Sequence, residues 1–218
     1  MGDMIEEHLV RAVIFDFGGV IAEEGFVNGL KVIGRRYGKD PDGVLKLGSS
    51  LSYETGFVNG KATEREFWDA FRRHTGISAP DEELREIVLS RFVLRPRVLE
   101  LARSLKEAGL TTAILSDQTN WLEEINGRTP FFHPFDRVFN SYRMGISKRD
   151  TAIFNIVLQE LGLKAPQAIF IDDRNENVER AASVGLKAIL YRDEESLIDE
   201  LLHFLPQLAT SVQEKRTW

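Results

Sequence analysis

The chain of 218 residues has no cysteine. That excludes disulfides, thiolate catalysis and Cys-ligated metal sites, and it fits a reducing compartment. Basic residues are not in excess: 28 Lys and Arg stand against 34 Asp and Glu, a formal net charge of -6. A nucleic-acid surface needs clustered excess Lys and Arg, so that partner is not expected. No apolar run approaches the ~20 residues that span a bilayer, so no membrane partner is expected either. The opening MGDMIEEHLV carries acids where a secretory signal would carry bases. Internal repeats and low-complexity segments are also missing. The expectation is a cytoplasmic monomer or homodimer with a flexible tail over 207–218. What is present, 43% hydrophobic and 28% charged residues, describes an ordinary globular chain. It is long enough for one large domain or a core with a smaller companion.

Four short runs rich in Val, Ile, Leu and Ala read as buried strands, at 10–15, 111–115, 168–171 and 186–191, with a weaker fifth at 137–140. Helical stripes lie between them. Val98, Leu101, Ala102 and Leu105 form one, closed by Gly109; Ile153, Phe154, Val157, Leu158 and Leu161 form another, closed by Gly162. Val178, Ala181, Ala182 and Val184 lead to Gly185, and Ser196 caps a last helix halted by Pro206. Strands alternating with helices specify an α/β fold, a doubly wound parallel sheet.

The stretch 22–95 breaks that rhythm with helix signals and no convincing strand. Asp40-Pro41 is a cap with proline at the first helical position, Thr63-x-x-Glu66 is a capping box, and Pro80-Asp81-Glu82-Glu83 opens a helix with acids at its positive end. The expected organisation is a catalytic core of 1–21 and 96–206, with a cap of about four helices inserted over 22–95.

Ligands of parallel sheets bind beyond the carboxyl ends of the strands. Those ends carry Asp16, Ser116-Asp117 and Asp172-Asp173, with Lys148 a short loop after the weak strand. Each type has a task in phosphoryl transfer. A carboxylate can attack phosphorus and split one displacement into two. A hard cation gathers carboxylates around a phosphate. Lysine supplies fixed charge, and serine with loop amides supplies hydrogen bonds. Any of these residues alone has a plainer reading, as a helix cap or a solvated charge.

The set VIFDFGGV, ILSD, Lys148 and IFIDDRNEN resembles the four motifs of the haloacid dehalogenase-like hydrolase superfamily over about residues 9 to 205. The insert sits where that family carries a cap, and Tyr53-Glu54-Thr55-Gly56 echoes a cap turn. The resemblance implies Asp16 as nucleophile and metal ligand, Ser116 as phosphate donor, and Lys148 as the charge steadying both. It implies Asp173 as the Mg²⁺ ligand, with Asp172 beside it in the first or second shell and Asn177 orienting the acids.

Three positions depart from the family pattern. Most of its phosphatases carry an acid two residues after the nucleophile, where this chain has Gly18. The Gly18 carbonyl can still bind metal, but proton donation, typically ~10²–10⁴ in rate, is lost. Some members with a similar D-x-G-x-V motif, sugar-1-phosphate phosphatases among them, resemble the chain closely. Asp117 stands where Asn is usual, so it should point away, pair with a base or bind metal, and Arg149 stands where Pro is usual. The expectation is a Mg²⁺-dependent phosphatase of a small phosphorylated metabolite. The alternatives are a metal-independent 2-haloacid dehalogenase and a catalytically silent phosphate- or partner-binding protein. His74 and His133 offer possible acids but read more plainly as structural or surface. Trp68, Phe67 and Phe71 read as cap core rather than a substrate stack, and Arg35-Arg36 and Arg72-Arg73 as solvated faces rather than contacts for an anionic substrate. Glu23 and Glu24, just past the first loop, face either substrate or solvent.

Overall fold

The computed structural model describes residues 9–208. Five parallel strands, β1 (Ala12–Phe15), β2 (Thr111–Ser116), β3 (Arg137–Asn140), β4 (Ala168–Asp172) and β5 (Lys187–Leu190), form one sheet in the order β3-β2-β1-β4-β5. The chain therefore builds outward from β1 on one side and returns to its other side through β4, which opens a crevice at the carboxyl ends of β1, β2 and β4. Each strand reads as one apolar run, yet its residues alternate between two cores. Val13, Phe15, Ile114, Ile169 and Ile171 face one cluster, and Ala12, Ile14, Ala113, Leu115 and Phe170 face the other.

The strand limits shift where pairing partners run out. The expected 10–15 and 186–191 shorten to the paired residues Ala12–Phe15 and Lys187–Leu190, while β2 and β4 extend to Ser116 and Asp172. Val10, Leu186 and Tyr191 remain buried, so their apolar character reflects packing outside the strands. The last helix is capped by Asp193, which accepts from the Ser196 amide, and not by Ser196. Of the expected tail, 207 and 208 belong to a 3-10 turn, Pro206–Leu208, and 209–218 fall outside the described residues.

Between β1 and β2 run α1 (Gly25–Arg36), α2 (Pro41–Glu54), α3 (Glu64–Thr75), α4 (Asp81–Leu89) and α5 (Pro96–Glu107). The Asp40 cap and the Thr63/Glu66 capping box are both formed. The later helices are α6 (Trp121–Arg128), α7 (Ser141–Met144), α8 (Ala152–Leu161), α9 (Asn175–Ser183) and α10 (Glu194–Phe204). Helices α1–α4 share one hydrophobic cluster with the sheet: Leu30, Phe67 and Trp68 belong with Val13 and Phe15. The seam is aromatic. Trp68 of α3 stacks on Trp121 of α6 at 5.8 Å, and Phe57 meets Trp121 edge-on at 5.5 Å. One carboxylate, Glu64, accepts both indole N–H groups at 3.0 Å each, which satisfies two donors buried on opposite sides of the seam. Among the described residues, no helix is long and apolar enough to cross a membrane.

Candidate active site

Asp16 is the first residue past β1. Its amide donates to the Ile171 carbonyl at 2.8 Å and continues the ladder, so the carboxylate leaves the rim of the sheet from fixed backbone. Its Oδ1 accepts from the Phe17 amide at 2.7 Å, and its Oδ2 lies 2.8 Å from Lys148 Nζ. The loop that follows is clamped from the far end of the insert. Arg95 Nη1 donates to the carbonyls of Gly19, Val20 and Ala22, while its Nη2 holds Glu23 at 3.0 Å. Sequence reading missed Arg95, because a clamp 76 residues away leaves no local signal.

Lys148 is 1% exposed and reaches both rims: its ammonium donates to Asp172 Oδ2 at 2.6 Å as well as to Asp16. Burial alone would lower its pKa, but the charges of Asp16, Asp172 and Asp117 more than offset that and hold it above the ordinary lysine value. Burial pushes the Asp16 carboxyl well above its usual range, against the pull of the Lys148 ammonium and with a further push from Asp172 and Asp173.

The two acids at the end of β4 separate. Asp172 is fully buried, and both its oxygens are engaged by Lys148, by Asn177 Nδ2 at 3.1 and 3.0 Å, and by the Arg174 amide at 2.8 Å. Asn177, expected to orient both acids, thus serves Asp172 and not Asp173. Asp173 turns toward the cavity, and its Oδ1 is buried without a hydrogen-bond partner. Its carboxylate occupies the place where a side chain at residue 19 would project: a Cβ on Gly19 would fall 2.1 Å from Asp173 Oδ2, and φ there is +85°. Burial and Asp172 raise the Asp173 pKa.

Asp117 neither points away nor joins the acids. Its Oδ1 accepts from the Lys148 amide at 2.8 Å and its Oδ2 from the Tyr53 hydroxyl at 3.0 Å, so it ties the lysine loop to α2. Burial raises the pKa of both Asp117 and Tyr53. Arg149, in the position where proline is usual, lies over the Tyr53 ring at 3.3 Å. Ser116 is buried and lines the same cavity, of about 500 Å³, as Asp16, Gly18, Lys148 and Asp173.

The insert contributes Glu24, Phe26, Val27, Leu45, Ser49, Ser52, Tyr53 and Val58 to this cavity. Burial, and then the charge of Asp173, raises the Glu24 carboxyl from 4.5 to about 7. Glu23 instead pairs with Arg95. The histidines, arginine pairs and α3 aromatics weighed from the sequence do not line this cavity. His74 contacts the Ala70 carbonyl and His133 lies by Arg103. Arg36 pairs with Glu83, and Arg72 pairs with Asp69 and Asp81. Phe67, Trp68 and Phe71 are fully buried, Phe67 and Trp68 against Trp121 at the seam.

The donor set suits a hard cation. Asp16, Asp172 and Asp173 each place a carboxylate oxygen within 4.8 Å of the others, and one of these acids has an orphaned oxygen. Among the described residues, no hydrogen bond is formed to the Gly18 carbonyl. Five carboxylates, counting Asp117 and Glu24, stand against Lys148 and the Arg149 and Arg174 side chains that line the same cavity, and the remaining excess of acids asks for positive charge.

Comparison with known proteins gives this arrangement a lineage. Residues 10–185 match the haloacid dehalogenase-like hydrolase family. The chain is 30% identical over 207 residues to mouse acyl-CoA dehydrogenase family member 10, covering 88% of this chain and 19% of that protein. It is 26% identical over 198 residues to a sesquiterpene phosphatase of Aspergillus oryzae, covering 84% and 90%. The chain spans 19%, 24% and 36% of the length of the first three curated relatives it matches. Its fold superposes on a HAD-family enzyme of Bacteroides thetaiotaomicron solved with magnesium and inorganic phosphate, with a TM-score of 0.69 at 22% identity over 86% of this chain and 98% of the other. It also superposes on an L-2-haloacid dehalogenase of Xanthobacter autotrophicus with covalently bound chloropropionic acid, with a TM-score of 0.64 at 17% identity over 89% and 83%. With the family matched over residues 10–185, from before β1 to just past α9, the chain belongs to the haloacid dehalogenase-like hydrolases.

Proposed function

We propose that the chain is a magnesium-dependent phosphatase of a small phosphorylated metabolite, working through an aspartyl-phosphate on Asp16. The observation that carries this reading is the orphaned Oδ1 of Asp173 within the three-acid cluster. A dehalogenase attacking carbon has no use for a cation there.

Asp16, Asp173 and the Gly18 carbonyl would hold the ion, with Asp172 behind them holding Lys148. Bound there, magnesium supplies positive charge to the phosphoryl oxygens and offsets the excess of carboxylates. Asp16 Oδ attacks phosphorus, its direction set by the Phe17 amide and by Lys148. The Lys148 ammonium, fixed between Asp16 and Asp172, stabilises charge on the transferring group without reorganising. Ser116 and loop amides supply hydrogen bonds, and Asp117 keeps the Lys148 backbone in place. The substrate body lies against the insert, whose lining is part apolar (Phe26, Val27, Leu45, Val58) and part hydroxyl (Ser49, Ser52, Tyr53). That mixture takes a sugar-1-phosphate, the class suggested by the first motif, or a more apolar ester. The name of the Aspergillus relative supports including the latter.

The test is phosphate release from a panel of sugar, alkyl, isoprenoid and acyl phosphates, with and without magnesium, for wild type and Asp16→Asn. Turnover that needs both magnesium and Asp16 supports the reading. Halide release from a 2-haloacid without magnesium supports the dehalogenase instead, and silence on every compound supports a binding role.

A further inference from the structure

The first motif leaves a gap at Gly18, and the structure fills that space from another element. A Cβ built on Gly18 would lie 3.3 Å from Glu24 Oε2 and 3.9 Å from the Phe92 ring. A Cβ on Gly25 would lie 2.4 Å from the same ring. Phe92, stacked on Phe17 at 5.4 Å, thus sits close over both glycines and walls in the residue between them in space, Glu24. The Glu24 carbonyl accepts from the Asn28 amide at 2.9 Å, which anchors its backbone to the first turn of α1.

The Glu24 carboxylate makes no hydrogen bond or ion pair among the described residues, whereas its neighbour Glu23 is held by Arg95. It lines the cavity with Asp16, Lys148 and Asp173, yet it lies outside the three-acid cluster. A partly buried acid in a catalytic cavity, kept clear of every partner and placed where the missing side chain would reach, has the position of a proton carrier.

We propose that Glu24 acts as general acid and then general base in the reaction of Asp16, in place of the residue that Gly18 cannot supply. This rests on the phosphatase reading above. In the first step a bond forms between Asp16 Oδ and phosphorus, the bond from phosphorus to the ester oxygen breaks, and the Glu24 proton passes to that oxygen. The products are the alcohol, the acyl phosphate on Asp16 and the Glu24 carboxylate. In the second step Glu24 takes a proton from water as the water oxygen bonds to phosphorus. The bond from phosphorus to Asp16 breaks, releasing inorganic phosphate and restoring both side chains.

The experiment compares wild type with Glu24→Gln at saturating magnesium on n-butyl phosphate, 4-nitrophenyl phosphate and acetyl phosphate. An alkoxide needs a proton to leave and 4-nitrophenolate does not. Glu24→Gln is therefore expected to lose ~10²–10⁴-fold in kcat on the butyl ester. On the nitrophenyl ester it should give a single-turnover burst at the wild-type rate, followed by accumulation of protein phosphorylated on Asp16. Its magnesium half-saturation should match wild type and its melting temperature should be no lower, which separates a proton carrier from a metal ligand or a folding role. Equal losses on both esters with no phosphoprotein, unchanged turnover on both, or activity restored by excess magnesium would each overturn the assignment while the phosphatase reading stands. A wild type that turns over none of the three compounds overturns both.

Discussion

Removing the Lys148 charge should cost more stability than any exposed substitution, and the cost should depend on pH. Lys148→Met keeps the length of the side chain and deletes an ammonium held 2.8 Å from Asp16 and 2.6 Å from Asp172. Asp172 is then fully buried and opposite a second buried acid with no cation between them. Breaking a buried ion pair by removing one partner costs about 3–5 kcal/mol. The lower end applies here, because Asp172 keeps bonds from Asn177 and the Arg174 amide, and Asp16 keeps one from the Phe17 amide. A loss of about 3 kcal/mol corresponds to roughly 6–12 °C in Tm for a chain of this size. Urea unfolding of metal-free protein measures it directly. As pH falls, Asp16, whose carboxyl burial already raises, takes up a proton and the loss should shrink, and Lys148→Met/Asp172→Asn should recover part of it at neutral pH. A Lys148→Met protein within about 0.5 kcal/mol of wild type at neutral pH, the range of ordinary surface changes, would refute the picture of a buried, charge-balanced triad.

Magnesium at about 100 times its Kd should stabilise the fold by about 2.7 kcal/mol, and Asp173→Asn should abolish most of that gain in a thermal-shift titration. Glu64→Ala should cost about 2–4 kcal/mol in urea unfolding, because it orphans the Trp68 and Trp121 indoles together, with Glu64→Gln milder. Glu24 is raised to about 7 in the fold against 4.5 ordinarily, so the folded state holds a proton there that the unfolded chain has released. Its contribution is present in full below pH 4.5 and is lost as pH rises through about 7. Metal-free stability should fall by up to about 3 kcal/mol across that window, and the slope should flatten in Glu24→Gln.

The sheet was legible because parallel strands buried on both faces carry uninterrupted apolar runs, and because the capping residues of the insert mark helix starts locally. Strand ends were less legible: Val10 and Tyr191 are as apolar as strand residues, and only the neighbouring strand decides where pairing stops. Helix α6 was missed, since Trp121–Arg128 is short, contains Gly127 and has no side-chain cap. The rim residues Asp16, Ser116, Lys148 and Asp173 could be named because each lies at or shortly beyond the end of a strand. The division between Asp172 and Asp173 came only from the family resemblance and left the shell of Asp172 open, because the two acids are adjacent and identical and the contacts of Asn177 and Lys148 set them apart. The contributions of the insert were hidden for a related reason. Whether Glu23 or Glu24 faces the cavity depends on Arg95 and Phe92, more than sixty residues along the chain.

The account turns on Asp16 carrying the phosphoryl group, and rapid quenching of wild type with acetyl phosphate and magnesium, followed by peptide mass spectrometry, tests it most directly. Phosphate should be found on the peptide holding Asp16, and should vanish without magnesium and in Asp16→Asn. Phosphate released at undiminished rate by Asp16→Asn, or a substrate carbon rather than phosphorus found on Asp16, would contradict it.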